Sequence, residues 1–323
     1  GGKIILLIQR ENMIKYKLLK REEFIALLPQ FYELYRLSFN HEINKQYLRW
    51  RYMENPMEDF FVGAALDNGA VVAGAAWSPC LMYLDGIIRK ALISINSMVH
   101  PDYQRGGIFV KLHELFDGSF IEDGYEFLIS FPNHLSHRTT ITRLGRTDIY
   151  EIPTMTLNLE RKSVQGPVDC HTDDQFSLDY SEICPFPNLN RIVKNSSYLR
   201  WRYYRDPINQ YRNFVLHKKN KVSSYMVVKQ YLDRLNIIDF QPGSYEEGSY
   251  LLDCAICYAQ TLNLRMVTTW APRHTFYHSL AERKGFRNNI PITYFCAKNF
   301  NDRMAVSMDY SDWYIQQGDF YAY

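Results

Sequence analysis

The run Tyr47-Leu48-Arg49-Trp50-Arg51-Tyr52 returns as Tyr198-Leu199-Arg200-Trp201-Arg202-Tyr203, 151 residues later, and Pro56 returns at Pro207. Seven of the ten positions in YLRWRYMENP and YLRWRYYRDP are identical, a tryptophan among them. A repeat whose period is half the chain marks an internal duplication, so each fold unit must be buildable from roughly 150 residues. The 323 residues are 46% hydrophobic and 22% charged, enough apolar surface for a core in each half.

The segments after each copy agree in order. After the first come Phe60–Leu66, an Asp67-Asn68-Gly69 turn and Val71–Trp77, two β-rich runs around a strong hairpin signal. After the second come Asn213–His217, a turn over Lys218–Lys221 and Val222–Gln230. Each half then offers a strand (Ala91–Val99; Leu235–Phe240), a helix (Ile108–Ile121; Tyr250–Leu262) and another strand (Phe127–Phe131; Met266–Trp270). A second helix ends at Leu144-Gly145 or Lys284-Gly285, where glycine suits a helix C-terminus. Both halves close on a strand, Tyr150–Leu159 and Ile292–Lys298. The class is α/β, with residues 13–160 as the first domain, 161–195 as a Gly- and Pro-containing connector and 196–323 as the second.

Charge narrows the partners. Thirty-seven basic residues against 35 acidic ones leave +2, which makes no demand for nucleic acid. The early apolar run Ile4–Ile8 is too short for a signal segment or membrane span, so a cytoplasmic protein is expected. Met13 is the expected natural start, with Gly1-Gly2 a remnant ahead of it. Six cysteines show no paired-knuckle spacing, and Cys254 and Cys257 sit three apart in an apolar helix-like stretch, as buried thiols would. No metal-ligand spacing stands out, so no metal is expected. Trp50 and Trp201 read as core anchors whose flanking arginines pair with carboxylates.

One stretch carries chemistry: Ser97-Met98-Val99-His100-Pro101-Asp102-Tyr103-Gln104-Arg105-Gly106-Gly107-Ile108-Phe109. An apolar strand runs into a glycine-containing loop that opens a helix. Successive backbone N–H groups and the helix dipole make an anion site there, suited to a pyrophosphate. The pattern is neither G-x-G-x-x-G nor G-x-x-x-x-G-K-[ST].

Here the chain resembles the GNAT acyltransferase superfamily, whose acyl-CoA loop reads Q/R-x-x-G-x-G/A after its fourth strand. Gln104-Arg105-Gly106-Gly107-Ile108-Phe109 matches the glutamine and the inner glycine, with Phe109 in place of the last small residue. Phe131-Pro132-Asn133-His134-Leu135-Ser136 and Leu144-Gly145-Arg146 fit the family's outline after the next strand, and Lys284-Gly285-Phe286 fits it in the second half. The resemblance implies two GNAT-like domains in tandem, each a mixed, mostly antiparallel sheet flanked by helices. It implies acyl-CoA, acetyl-CoA above all, as cosubstrate, with Met98, Val99, Gln104, Arg105, Gly106, Gly107, Ile108, Phe109, Asn133 and Ser136 around it. The implied reaction is direct N-acyl transfer to an amine of a small molecule or sugar precursor.

Catalytic groups are sparser. The family's helix tyrosine, which protonates the departing thiolate, is replaced by Ile141. His100, His134 and His137 lie near the cofactor segment, and His134 and His137 are the candidate acid–base groups. The second half reads QPGSYEEGSY where a basic cradle would be needed; Glu246 and Glu247 would repel a pyrophosphate, so a degenerate second domain is expected. The tail Trp313–Tyr323 is either a docked terminal strand or a wall of the acceptor cleft. Alternatives on the same scaffold are an aminoacyl or long-chain acyl transferase, or a catalytically silent CoA-binding or interaction module.

Overall fold

Three residues ahead of each copy of the repeat stands an asparagine. Asn44 accepts hydrogen bonds from the backbone N–H groups of Gln46 and Tyr47, and Asn195 accepts one from Tyr198. Both are N-caps, which satisfy otherwise orphaned donors of the first turn. The first copy is a regular helix, whereas the second passes from a short α-helix into a π-helical turn, Arg200–Tyr204. Trp50 and Trp201 are buried in both, as core anchors should be. Arg51 donates to the Tyr47 hydroxyl at 2.7 Å and Arg202 to the Tyr211 hydroxyl at 3.1 Å, so phenols are among the partners of these arginines.

The structure, a computed structural model, describes residues 14–160, 168–181, 183–300 and 306–320. Ile4–Ile8, Met13, Gly166, Pro167 and Tyr321–Tyr323 lie outside the described residues. The elements in chain order are β1 (Lys15–Leu18), α1 (Arg21–Phe39), α2 (Lys45–Met53), β2 (Phe61–Asp67), β3 (Ala70–Leu84) and β4 (Ile87–Val99). Then come α3 (Ile108–Glu122), β5 (Phe127–Ser130), α4 (His134–Thr142), β6 (Thr147–Asn158), β7 (Arg191–Ile192) and α5 (Ser196–Leu199). The chain continues through β8 (Arg212–Lys218), β9 (Lys221–Tyr231), β10 (Arg234–Gln241), α6 (Tyr245–Thr261), β11 (Met266–Thr269), α7 (Phe276–Lys284) and β12 (Arg287–Asn299). The Asn68-Gly69 hairpin has positive φ at both residues, 48° and 85°, as a two-residue loop with the right twist requires. Helix α6 starts five residues before the expected Tyr250, because Ser244 caps it and draws the acidic pair into its first turn.

Two compact units emerge. The first comprises residues up to Leu81, Arg89–Asp148 and a piece beginning at Cys296; the second holds Met82–Ile88, Ile149–Phe295 and the chain from Val306. In the first, β1, β2 and β3 pair antiparallel in sequence, β4 lies beside β3, and β5 runs parallel to β4. Its last strand is the end of β12: Cys296–Asn299 pairs antiparallel with Ser130–Phe127. In the second, β8, β9 and β10 are antiparallel neighbours, β11 is parallel to β10, and Met155–Asn158 of β6 pairs with β11. The closing strand of each half of the sequence is thus built into the unit of the other half. Residues 168–195 also pack in the second unit, where Asp173 accepts from Ser177, Leu178 and Tyr180.

Strand periodicity divides the core of the first unit. Phe61 and Ala65 of β2 face a cluster with Ile108, Leu112 and Phe116 of α3, while Val62 and Ala64 face Phe24, Leu28 and Phe31 of α1. That alternation of two is what a sheet covered on both faces needs. The core of the second unit seats Leu251, Leu252 and Ile256 of α6 and Leu280 of α7 on Leu235, Ile237 and Val267.

Candidate active site

A strand, a turn and a helix start build the anion site. Pro101–Tyr103 forms a 3-10 turn after β4, and Gln104 then folds its side-chain amide back onto the Val99 carbonyl at 3.3 Å. Arg105 takes φ +67° and Gly107 φ +77°, so the chain doubles back and enters α3 with Gly107 as its N-cap. No side chain caps this helix, so the first-turn N–H groups, beginning with Ile108 and Phe109, are left for a ligand. Gln104, Arg105, Gly106 and Gly107 are exposed, Phe109 is half-buried and Ile108 is buried beneath them. Met98 is also buried, against α1, so only its backbone is available to a ligand.

Beside this loop the sheet opens. Pairing of β4 with β5 runs from Ala91–Phe127 to Ser94–Ser130 and stops, while β4 continues to Val99. Beyond β5, Asn133 caps α4, accepting from the N–H and the hydroxyl of Ser136. Asn133 and Ser136 are thereby tied to each other. His134 is exposed at the first position of α4, and His137 Nε2 lies 3.1 Å from Asp148 Oδ2. The two candidate acid–base groups therefore have different surroundings.

Residues that spacing could not connect meet next to this opening. Ser97 Oγ lies 2.9 Å from Nε2 of His113, whose Nδ1 lies 3.3 Å from Arg146 Nη2. His113 and Arg146 are buried, and the rings of Trp77 and Phe109 pack on the imidazole at 5.1 and 4.9 Å. The one hint in the sequence is that three small polar residues, Ser94, Asn96 and Ser97, follow the apolar Ala91–Ile93 within β4. A second cluster joins His137, Asp148 and Cys296, whose ligand atoms lie within 4.8 Å of one another. The buried Arg146 guanidinium adjoins Cys296 and opposes a cation there, and Asp148 serves instead as acceptor for the Cys296 thiol, which burial and that carboxylate push up to about 12. Cys254 is buried in α6 and Cys257 half-buried, with no disulfide between them.

A family model described as an acetyltransferase (GNAT) domain matches residues 16–145, the span from β1 to the end of α4. This part of the chain is a GNAT domain. A GCN5-related N-acetyltransferase from Anabaena variabilis aligns over 89% of this chain and 73% of its own, with a TM-score of 0.64 at 11% identity. A GCN5-related N-acetyltransferase from Kribbella flavida aligns over 89% and 72%, with a TM-score of 0.63 at 13% identity. Saccharomyces cerevisiae N-myristoyltransferase, solved with bound myristoyl-CoA, aligns over 89% and 79%, with a TM-score of 0.60 at 8% identity. At such identities the likeness is one of fold. No curated protein matches the chain significantly in sequence.

The chain accordingly carries an acyltransferase domain, and no helix among the described residues is long and apolar enough to cross a membrane. Inside the GNAT domain, His113 is held neutral: burial, then the charges of Arg146 and Lys298, lower its pKa well below 6.5. Between 6.5 and that native value the unfolded chain binds the extra proton, so this contribution to stability is complete above about pH 6.5 and shrinks as pH falls. The stability read from urea unfolding, followed by tryptophan fluorescence, is expected to fall by up to ~1.4 kcal/mol per pH unit through this group. His113→Gln should flatten the slope below pH 6.5, and a slope unaltered by that substitution would assign the pH dependence elsewhere.

The corresponding places in the second half are filled by the chain itself. At the N-terminus of α6, Ser244 accepts from Glu247 N–H, the Glu247 carboxylate accepts from Ser223 and Ser224, and Gly243 N–H donates to Ser224 at 2.6 Å. Parallel pairing of β10 with β11 ends at Asn236–Thr268, and the tail takes up the gap that follows. Tyr314 donates to the Phe240 carbonyl, Gln316 to that of Trp270, and Gly318 packs so close to Ile238 that a Cβ there would lie 3.1 Å from its oxygen. Trp313, Tyr314, Ile315, Gln316, Gln317, Gly318 and Asp319 are all buried.

Proposed function

We propose that the GNAT domain binds acyl-CoA, acetyl-CoA in the first instance, and transfers its acyl group to an amine of a small molecule or sugar precursor. The observation that carries this reading is the uncapped start of α3 behind Arg105, Gly106 and Gly107, where a pyrophosphate would meet the first-turn N–H groups and the positive end of the helix dipole. The acyl-pantetheine arm would then lie along the unpaired edge of β4, bringing its thioester to the opening past Ser94 and Ser130. An extended amide-bearing chain beside an unpaired strand edge gains main-chain hydrogen bonds, as peptides do when they add to sheets.

The reaction on this reading is mainly one of positioning, with the amine attacking the thioester directly. Ile141, half-buried in α4, offers no proton to the leaving thiolate. Of the two candidate histidines, His134 faces solvent and is the better placed to take the ammonium proton, since His137 is held by Asp148. A longer acyl donor is the second reading, supported by the fold shared with an enzyme that holds myristoyl-CoA.

The second half is proposed to be a degenerate GNAT-like domain, because Glu247 and Ser244 occupy its helix start and residues 313–319 its strand gap. Isothermal titration with acetyl-CoA is therefore expected to saturate at about one molecule per chain, because of the two corresponding helix starts, α3 and α6, that of α6 is capped by Ser244 and that of α3 is not. A stoichiometry of two equivalent sites would contradict this assignment.

A further inference from the structure

We propose that Ser97 donates its hydroxyl hydrogen to the carbonyl oxygen of the bound thioester, with His113 and Arg146 as positioning residues that fix where that hydrogen points. The proposal rests on the acyl-CoA reading above and assigns a group to its acyl end. A guanidinium has only N–H donors, so His113 Nδ1, 3.3 Å from Arg146 Nη2, must present its lone pair. The imidazole is neutral, so its one hydrogen sits on Nε2 and is donated to Ser97 Oγ, 2.9 Å away. Ser97 therefore accepts from His113, and its own hydrogen goes to a different partner.

The surroundings say which. Ser97 lies three residues past Ser94, the last β4 residue paired with β5, and is half-buried along the opening in the sheet. A cofactor anchored at Gln104–Phe109 and lying along β4 must bring its thioester into that opening. The same tautomer rules out a serine nucleophile: a histidine that activates serine has to accept the hydroxyl hydrogen at the nitrogen that here already carries one. Phe109, bulky where the family's loop has a small residue, covers His113 from one side and Trp77 from another, which shields the array from water and keeps the ring in place.

In the step itself the amine nitrogen bonds to the carbonyl carbon and the C=O π pair moves onto oxygen. The hydrogen bond from Ser97 strengthens as that charge grows, the condition for an interaction to lower the barrier. The pair then returns as the C–S bond breaks, CoA leaves as the thiolate, and the ammonium proton passes to His134 and from there to solvent. Ser97 keeps its hydrogen throughout.

The test needs no acceptor. Infrared difference spectra of carbonyl-labelled acetyl-CoA bound to the full chain should show the thioester stretch moved to lower wavenumber than in free acetyl-CoA. Ser97→Ala should bind acetyl-CoA within about threefold of wild type, since the loop holds the phosphates, yet return the band most of the way to the free position. Ser97→Thr, which keeps the hydroxyl, should retain the shift. Arg146→Met, which frees His113 to change tautomer, should weaken it with Ser97 still present, an effect that a merely structural arginine would not have. A Ser97→Ala band as low as that of wild type, or a Ser97→Thr band as high as that of Ser97→Ala, overturns the assignment. Absence of acetyl-CoA binding by the wild-type chain would instead overturn the acyl-CoA reading, and it would be seen before any variant is made.

Discussion

Gly107→Asp is expected to weaken acetyl-CoA binding at least 100-fold, about 2.7 kcal/mol, in calorimetry. Two effects act together. Gly107 sits at φ +77°, a conformation that costs a residue with a Cβ roughly 1–2 kcal/mol, so the loop shifts to escape it. The new carboxylate also faces the place assigned to the pyrophosphate and repels it across a partly dehydrated gap. Gly106 separates these effects. A Cβ there meets nothing nearer than the Tyr103 carbonyl at 3.6 Å, so Gly106→Ala should fold normally and Gly106→Asp should act through charge and blockage alone. A dissociation constant within threefold of wild type for both aspartate variants would remove the anion site from the loop.

Ending the chain at Asp312 is expected to unfold the second unit. Trp313, Tyr314 and Ile315 are fully buried there, and losing a buried aromatic or aliphatic side chain costs about 2–5 kcal/mol each. The cut also removes Asp319, whose carboxylate lies 2.9 Å from Lys194 Nζ, itself 2.9 Å from Asp239. Deleting Asp319 leaves the buried Lys194 with one of these two carboxylate partners, a further loss. The three side chains alone forfeit about 6–15 kcal/mol, as much as the ~5–15 kcal/mol that holds a typical domain folded. Differential scanning calorimetry of the shortened chain should show the loss of the second unit's transition. A midpoint within about 5 °C of the full chain would mean that the tail is peripheral after all.

That outcome separates two readings which the sequence left side by side. An aromatic segment at a chain end suits a docked terminus and a cleft wall equally well, since both need apolar side chains with polar rims. What decides is the gap after Asn236–Thr268, which no local pattern encodes. The strands themselves were legible because alternation and turn chemistry are local: Asn68-Gly69 and the β2–β3 hairpin follow directly from them. The loop 104–109 was legible for the same reason, its glycines lying next to a strand and a helix start. Ser97, His113 and Arg146 were not, since they meet only through tertiary packing, and each looks unremarkable alone. The destination of β6 and β12 was equally hidden: their residues spell strands, but the choice of neighbour is made by the fold.

That choice of neighbour reaches back to synthesis. Ser130 on β5 is contacted by Cys296, 166 residues further along the chain. When the loop, α3 and β5 have left the ribosome, the outer edge of β5 is still bare, and it stays bare until Cys296–Asn299 of β12 has been made. An uncovered strand edge is an aggregation hazard, and contacts so remote in sequence form late. The first unit therefore closes only once β12 has followed the second unit's strands out of the ribosome, although most of its own residues precede them.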